Sequence, residues 1–315
     1  MQYRSLGQTG ILVSRLCFGA LTIGPLQANL PVREGAAVIR KALESGVNFI
    51  DTAELYRTYP YIREALRGFT GDVAICSKCY AYTRQDMQKS VEKALIELDR
   101  DYIDIFMLHE QESALTIKGH WEAYEYLLQA KRKGLIRAAG ISTHHVAAVL
   151  AAAAVPEIDV IHPLINYAGI GIADGTREDM LAAIKTATSA GKGIYAMKAL
   201  GGGNLLTRPE KAFDFVLSIP EIDAVAVGMS TVHEVAYNTL LFSGEKIPET
   251  LKSAVRRQTR RLHIEEWCRG CGECAKRCRA GALAVKDGKA RVDKDLCVFC
   301  GYCAAACPDF CIKVI

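Results

Sequence analysis

The chain has 315 residues, half of them hydrophobic, so it can bury a large core; one barrel of roughly 250 residues and a small second module would fit this length. A net charge of +4 is too small to indicate nucleic-acid binding, and no apolar run approaches the roughly 18 residues of a membrane span. No signal peptide is recognised, and eight of the twelve cysteines fall in the last 48 residues with metal-ligand spacing. We therefore expect a soluble protein of the reducing cytoplasm.

Predicted strands and helices alternate after a short hairpin in residues 2–14. Amphipathic segments with helical period lie between the strands, as in Arg84–Leu98 and Trp121–Lys133. Eight strand–helix units favour a closed (β/α)8 TIM barrel over an open sheet, because closure leaves no edge strand. The predicted strands are Arg15–Ala20, Val47–Asp51, Val73–Lys78, Ile103–His109, Arg137–Ser142, Asp159–Asn166, Gly193–Ala199 and Ala224–Gly228.

The last helix of this region is predicted over Glu249–Arg261, where it would lead out of the barrel. The domain boundary is then expected near His263. This gives a barrel over residues 1–262 and a small α+β module over residues 263–315.

Four polar side chains lie at or just beyond the ends of three predicted strands. Asp51 and Tyr56 follow the second strand, and Lys78 and His109 end the next two. The C-terminal ends of barrel strands converge on one mouth, so these side chains should meet there. A structural alternative is an Asp51–Lys78 ion pair that stiffens the barrel, with Tyr56 packed beside it.

The chemistry of this set suits proton transfer to a carbonyl. A carbonyl that accepts a hydride develops negative charge on its oxygen and needs a proton as it does so. Free tyrosine, with a pKa near 10, is a weak acid at neutral pH. An adjacent ammonium should lower that pKa, so we expect Lys78 to activate Tyr56 while Asp51 holds Lys78. His109 would donate a hydrogen bond to the carbonyl oxygen or relay a proton.

Residues 1–245 resemble the aldo-keto reductase family in this Asp–Tyr–Lys–His set. The resemblance extends to Gly140–Ser142, Asn166-Tyr167, Met197–Gly202 and Gly228–Asn238. It implies an oxidoreductase that acts on a small carbonyl/alcohol substrate, with Tyr56 as proton donor and NAD(P)H as cofactor. It also implies cofactor contacts at Ser142, Thr143, His162, Asn166, Met197, Lys198, Leu200, Gly202, Ser230, Thr231, Glu234 and Asn238.

Several of these positions depart from the family pattern. Ser230 and Glu234 stand where the family usually has cations for the 2′-phosphate of NADP, so NAD is at least as plausible as NADP. Met197 stands where an aromatic ring usually stacks on nicotinamide, and core filling is an equal alternative for it. Gly201–Gly203 could cradle a phosphate or form a flexible turn. His144 and His145 open a helix and are expected to face solvent.

The C-terminal segment contains the same cysteine pattern twice, offset by 29 residues. Cys268-x2-Cys271-x2-Cys274-x3-Cys278 recurs as Cys297-x2-Cys300-x2-Cys303-x3-Cys307. This resembles a bacterial-type ferredoxin with two 4Fe–4S clusters, in which the fourth cysteine of each run binds the other run's cluster. The resemblance implies one cluster on Cys268, Cys271, Cys274 and Cys307, and another on Cys297, Cys300, Cys303 and Cys278. Two zinc sites are the alternative, and Cys311 is expected to be core.

Basic residues crowd the junction between the two regions and could offset cluster charge, dock an acidic electron-carrier protein, or form a solvated face. They are Lys252, Arg256, Arg257, Arg260, Arg261, Arg269, Lys276, Arg277 and Arg279.

The leading hypothesis is an aldo-keto-reductase-like oxidoreductase with a ferredoxin module. An electron-transfer protein, whose clusters relay single electrons to or from a flavin or a partner docked on the barrel, is the second. A nucleotide sensor with Tyr56 idle is the third.

Overall fold

The computed structural model describes residues 1–257, 261–297, 299 and 302–315. The chain begins with an antiparallel hairpin of β1 (Tyr3–Ser5) and β2 (Leu12–Ser14). The hairpin closes the N-terminal end of the barrel, since Asp223, just before the last barrel strand, accepts hydrogen bonds from the Gly7 and Ile194 N–H groups at 3.1 and 3.0 Å. Apolar side chains around the hairpin turn then fill the bottom of the barrel interior.

Eight parallel strands form a closed barrel, as predicted. The first and last strands pair with each other, so no barrel edge is left open. The sixth barrel strand is shorter than predicted, because Asn166 turns the chain by accepting hydrogen bonds from the Ala168 and Ile170 N–H groups. The strands are β3 (Leu16–Gly19), β4 (Phe49–Asp51), β5 (Ala74–Cys79), β6 (Ile103–Leu108), β7 (Ile136–Thr143), β8 (Val160–Pro163), β9 (Gly193–Ala196) and β10 (Ala224–Gly228).

Helices surround the barrel and bury their apolar faces against the outer side of the strands. Within the described residues, no helix has the length and apolarity needed to cross a membrane. The helices are α1 (Val32–Glu44), α2 (Tyr59–Leu66), α3 (Arg84–Leu98), α4 (Ala114–Gly119), α5 (Trp121–Arg132), α6 (Val146–Ala153), α7 (Arg177–Ser189), α8 (Pro209–Leu217), α9 (Val232–Phe242) and α10 (Glu249–Arg256).

The predicted end of the last of these helices at Arg261 is wrong. α10 ends at Arg256, and the Arg261 N–H donates to the Ile315 carbonyl at 2.7 Å, so its backbone is paired with the C-terminus. Residues 258–260, which include the predicted basic residue Arg260, lie outside the described residues.

In its described residues, the C-terminal module contains two small antiparallel sheets and two short helices. β11 pairs with β14, and β12 pairs with β13. Its core is small and includes several cysteines, so bound clusters would add much of its stability. The limits 1–262 and 263–315 remain a prediction. The elements are β11 (Leu262–Ile264), α11 (Glu273–Arg277), β12 (Leu283–Lys286), β13 (Lys289–Val292), α12 (Tyr302–Ala305) and β14 (Ile312–Val314).

The module packs against the barrel through the glycine loop that follows β9. The Val314 N–H donates to the Gly202 carbonyl at 2.9 Å, and the Asn204 amide donates to the Ile312 carbonyl at 3.1 Å. Gly203 has a φ of +86°, and a Cβ there would clash with the Val314 carbonyl. The glycines therefore permit close approach of β14, a role that sequence analysis had not considered.

Candidate active site

Lys78 and Asp51 form a buried ion pair at the C-terminal end of β4 and β5. The Lys78 ammonium donates to Asp51 Oδ1 and to the Thr52 carbonyl, each at 2.7 Å. Lys78 is 1% exposed and Asp51 5% exposed, so water screens this pair little.

Tyr56 and His109 lie above this pair. Tyr56 ends a short 3-10 turn after β4, and His109 directly follows β6. The Tyr56 hydroxyl lies 3.4 Å from His109 Nε2, and the Lys78 ammonium lies 5.2 Å from the centre of the Tyr56 ring. The structure thus brings together the four side chains that sequence analysis selected.

Lys78 was expected to lower the pKa of Tyr56, but this is not the dominant effect on that pKa. Burial raises the pKa of Tyr56 above its ordinary value, and the opposing effect of the Lys78 charge does not outweigh it. Burial would lower the pKa of Lys78, but Asp51 and other neighbours raise it overall, so Lys78 stays charged. The site therefore holds a neutral phenol beside a fixed ammonium.

His109 is a neutral imidazole in this site. Burial, followed by the charge of Lys78, holds its pKa well below the ordinary value. Its Nδ1 is buried and has no hydrogen-bond partner among the described residues. The Tyr80 ring stacks on the imidazole with a centroid separation of 4.5 Å, and the Tyr80 hydroxyl donates to Glu110 at 2.6 Å. These contacts orient Nε2 toward Tyr56.

One large cavity, of about 1110 Å³, extends from these four residues across the barrel mouth. This volume is sufficient for an extended dinucleotide. Eight of the twelve predicted cofactor positions line it: His162, Met197, Lys198, Leu200, Gly202, Ser230, Glu234 and Asn238.

The other four predicted cofactor positions do not line this cavity. The Ser142 hydroxyl accepts from the Glu110 N–H at 2.9 Å, and the Thr143 hydroxyl accepts from the His145 N–H at 2.8 Å. Asn166 bonds within its own turn, and Thr231 caps α9. Their side chains thus have local structural contacts, and their cofactor roles remain predictions.

At the far end of the cavity, Ser230 and Glu234 are hydrogen-bonded to each other. The Glu234 carboxylate accepts from the Ser230 N–H at 2.7 Å and from its hydroxyl at 3.0 Å. Nearby, Glu210 accepts from the Tyr237 hydroxyl at 3.3 Å and pairs with Lys252 at 2.5 Å. Arg256 also lines this end, so the region does contain cations, although none comes from the family's usual positions.

The C-terminal module supplies part of the cavity wall, including Phe310 and Lys313. His144 lines the same wall, and its ring meets Phe310 edge-on with a centroid separation of 6.0 Å. His144 is therefore half-buried and not fully exposed as expected, because the module covers the barrel mouth at this point.

Four cysteines of the first predicted cluster surround one small cavity: Cys268, Cys271, Cys274 and Cys307. The Ala290 N–H points to Cys268 Sγ at 3.5 Å and the Cys311 N–H to Cys307 Sγ at 3.3 Å, as amides do at iron–sulfur sites. Among the described residues, no group of three or more His, Cys, Asp or Glu side chains is arranged to hold a single metal ion. Cys311 is buried, as expected.

The second predicted cluster is only partly described. Cys278 Sγ accepts from the Ala282 N–H at 3.3 Å, which repeats the arrangement at Cys307 and Cys311. Cys297 and Cys303 contribute to the same small core. Cys300, the remaining predicted ligand, lies outside the described residues.

Comparison with known proteins agrees with this geometry. The model of the aldo/keto reductase family matches residues 15–246. The chain belongs to the aldo/keto reductase family. A model of the 4Fe-4S dicluster domain matches residues 261–308, so this aldo/keto reductase has a C-terminal iron–sulfur domain.

Three relatives illustrate the match. The chain is 26% identical over 283 residues to L-galactose dehydrogenase of Arabidopsis thaliana, covering 76% of this chain and 87% of the relative. It is 25% identical over 186 residues to methylglyoxal reductase DkgA of Yersinia pestis, covering 56% and 65% respectively. A Pseudomonas aeruginosa protein classed as an aldo-keto reductase has a solved structure with a TM-score of 0.67 and 29% identity, covering 77% of this chain and 95% of that one. These matches support an oxidoreductase.

Sequence analysis of this aldo/keto reductase missed Tyr195. Its hydroxyl lies 2.8 Å from Asp51 Oδ1 and 3.0 Å from Cys76 Sγ. The His162 ring stacks on the Tyr195 ring at a centroid separation of 3.8 Å, and its Nδ1 lies 2.6 Å from the Tyr195 carbonyl. Two-residue alternation from Gly193 along β9 would have placed Tyr195 in the barrel interior. Its hydrogen bond to Asp51 on β4 could not be predicted in this way, because the two strands face each other only in the closed barrel.

Proposed function

We propose that this aldo/keto reductase interconverts a small carbonyl compound and its alcohol, with Tyr56 as the proton donor. The observation that carries the proposal is the Tyr56 hydroxyl, which lies 3.4 Å from His109 Nε2 at one end of a cavity large enough for substrate and cofactor. The matching family and its reductase and dehydrogenase members support the same reaction class.

Each of the four residues has a defined task in this proposal. The neutral Tyr56 hydroxyl gives its proton to the carbonyl oxygen as negative charge develops there. Lys78 stabilises the phenolate that remains, and Asp51 keeps Lys78 charged and oriented. In its Nε2–H tautomer, His109 donates a hydrogen bond to the same oxygen. Because Lys78 and His109 are buried, these interactions act at low dielectric.

A nicotinamide dinucleotide, when bound, would supply or accept the hydride. Leu200 and Gly202 would hold its central part, and Ser230, Glu234 and Asn238 would hold its adenosine end. Glu234 is an unfavourable neighbour for an additional phosphate, so we propose NAD(H) binding at least as tight as that of NADP(H).

The C-terminal domain would hold two 4Fe–4S clusters on the eight cysteines, each cluster exchanging single electrons when bound. One observation favours electron relay as a second candidate function: Asp309 and Phe310 line the cavity only two and three residues after the predicted ligand Cys307. Arg277 and Arg279 are exposed on this domain and would suit docking of an acidic electron carrier.

One experiment separates these functions. Anaerobically purified protein is first examined by absorption spectroscopy, which detects iron–sulfur clusters and any flavin together. Turnover of small aldehydes and ketones is then measured with NADH, with NADPH and with dithionite-reduced clusters as the only donor. Turnover with a nicotinamide donor supports the main proposal, turnover only with reduced clusters supports the relay, and none with any donor contradicts both.

A further inference from the structure

Two lysines face the cavity from opposite sides of the interface between barrel and C-terminal domain. Lys198 follows β9 in the barrel, and Lys313 belongs to β14 of the domain. No described carboxylate lies within 4.0 Å of either ammonium, since neither lysine has an ion-pair partner there. Lys313 is buried, and Lys198 is half-buried. A buried ammonium without a counter-ion is costly, so this pair calls for an explanation.

Lys313 is placed to bind a further group. It is 4% exposed, and its alkyl chain packs against Gly202. Its ammonium donates to the Phe310 carbonyl and lies 3.1 Å from the centre of the Phe310 ring. An ammonium has three donors, so this one keeps two for a ligand in the cavity.

The surroundings of the two lysines are predominantly positive. Burial, and then the charge of Lys198, lowers the pKa of Lys313 to about 6. His144 lines the same wall. Burial, and then the charges of Lys198 and Lys313, hold the pKa of His144 well below its ordinary value. Three acidic groups act on this region, but all have partners: Glu265 lies 3.1 Å from His263 Nε2, Glu110 accepts from Tyr80, and Asp51 accepts from Lys78 at 2.7 Å. At neutral pH this pKa leaves Lys313 largely uncharged while the site is empty, and a bound anion would favour its protonated form.

The position of Lys198 shows which part of a ligand would meet this pair. Lys198 follows the C-terminal end of β9, as His109 follows that of β6, and the two side chains line the same cavity. Lys198 comes three residues after Tyr195, whose hydroxyl lies 2.8 Å from Asp51 Oδ1, and this places Lys198 toward the proton-transfer end. The adenosine end has its own cations, Lys252 and Arg256.

Given the proposed carbonyl chemistry, on which this step depends, we infer that Lys198 and Lys313 form a subsite for a carboxylate on the substrate. The substrate class is then an aldehyde or ketone that carries a carboxylate. The iron–sulfur domain thereby contributes a specificity-determining residue to the barrel's active site, and the subsite exists only while β14 lies on the Gly202–Gly203 loop.

The test compares 4-carboxybenzaldehyde with 4-methylbenzaldehyde, which has a similar shape and no charge. Holoprotein is used as wild type, as Lys313→Met, and as Lys286→Met, which removes an exposed lysine of the same domain. Methionine is close to lysine in length, so packing on Gly202 is retained; cluster absorption and the thermal midpoint check the fold. We expect Lys313→Met to reduce the ratio of kcat/KM for the carboxylated over the neutral aldehyde by roughly 10- to 100-fold, and Lys286→Met to leave it unchanged.

Binding measurements make the result independent of turnover. Calorimetric titration without an electron donor gives the Kd of each aldehyde and of NADH. A Kd at least tenfold lower for the carboxylated aldehyde, lost in Lys313→Met, supports the subsite even if neither aldehyde is reduced, whereas absent reduction counts against the proposed function alone. Equal Kd values for the two aldehydes in wild type overturn the subsite. Weaker NADH binding in Lys313→Met, with both aldehydes affected alike, would assign the lysine to a cofactor phosphate and also overturn it.

Discussion

Tyr195 and Asp51 are hydrogen-bonded across the barrel interior, with the Tyr195 hydroxyl 2.8 Å from Asp51 Oδ1. The same carboxylate oxygen accepts from Lys78 at 2.7 Å, so two donors on different strands fix its position. Buried ion pairs often add little net stability, because desolvation offsets their attraction. The arrangement therefore suits a charge held for chemistry better than a device for stiffening the barrel.

Substituting Lys78 by Met tests that interpretation. Without the ammonium, nothing stabilises the Tyr56 phenolate, and we expect kcat/KM for carbonyl reduction to fall by about 10²–10⁴-fold. The measurement is steady-state turnover of small aldehydes. Because Lys78→Met leaves Asp51 buried without its counter-ion, Asp51→Asn/Lys78→Met serves as the matched control with no net charge in the pair. If the double variant regains wild-type turnover, the ion pair is only structural.

Stability should depend on pH through His162. Burial lowers its pKa to about 4, below the ordinary value near 6.5. The unfolded chain therefore binds a proton that the folded chain resists, so this contribution is complete above pH 6.5 and is lost as the pH falls toward 4. We expect the thermal unfolding midpoint of His162→Gln to rise relative to that of wild type as the pH is lowered from 7.5 to 5. His233→Gln, at an exposed site, should follow wild type throughout. A constant midpoint difference for His162→Gln would contradict the prediction.

Nucleotide preference follows from Glu234, which lines the far end of the cavity. We expect NADH to bind wild type at least as tightly as NADPH, and Glu234→Arg to shift preference toward NADPH by roughly 1–3 kcal/mol, the size of a charge-assisted contact. Titration of both nucleotides measures this. The control is Glu245→Arg, an exposed charge reversal. A wild-type preference for NADPH above about tenfold would mean that Lys252 or Arg256 binds the extra phosphate.

Iron and sulfide content tests the cysteine assignments. Two clusters require about eight irons and eight sulfides per chain, and Cys271→Ser should retain about half of each while the barrel stays folded. Metal analysis and far-UV circular dichroism of anaerobic preparations provide the readouts. Cys311→Ser is the control, because Cys311 is buried but is not a predicted ligand. Two zinc ions per chain in place of iron would refute the assignment.

The barrel was predictable because its pattern is local. Inward and outward alternation, strand ends and helical period all lie within short windows, and they brought Asp51, Tyr56, Lys78 and His109 to one mouth. The environment of Tyr56 was not predictable, because the net direction of its pKa depends on burial by the whole site. The docking of β14 on Gly202 and Gly203 joins segments more than 100 residues apart. Sequence periodicity carries no information about such a contact, so Lys313 could not be assigned to the active site.

The most direct test of the account is the turnover of Tyr56→Phe. This variant loses only the hydroxyl and keeps the ring that packs near Lys78 and His109. Turnover of small aldehydes and ketones is measured with NADH, with NADPH and with dithionite-reduced clusters, alongside cluster absorption and nucleotide binding to confirm an intact protein. We predict that carbonyl reduction is abolished with every donor while fold, clusters and nucleotide affinity are unchanged. Full turnover of Tyr56→Phe with any donor would contradict the role of Tyr56 as proton donor.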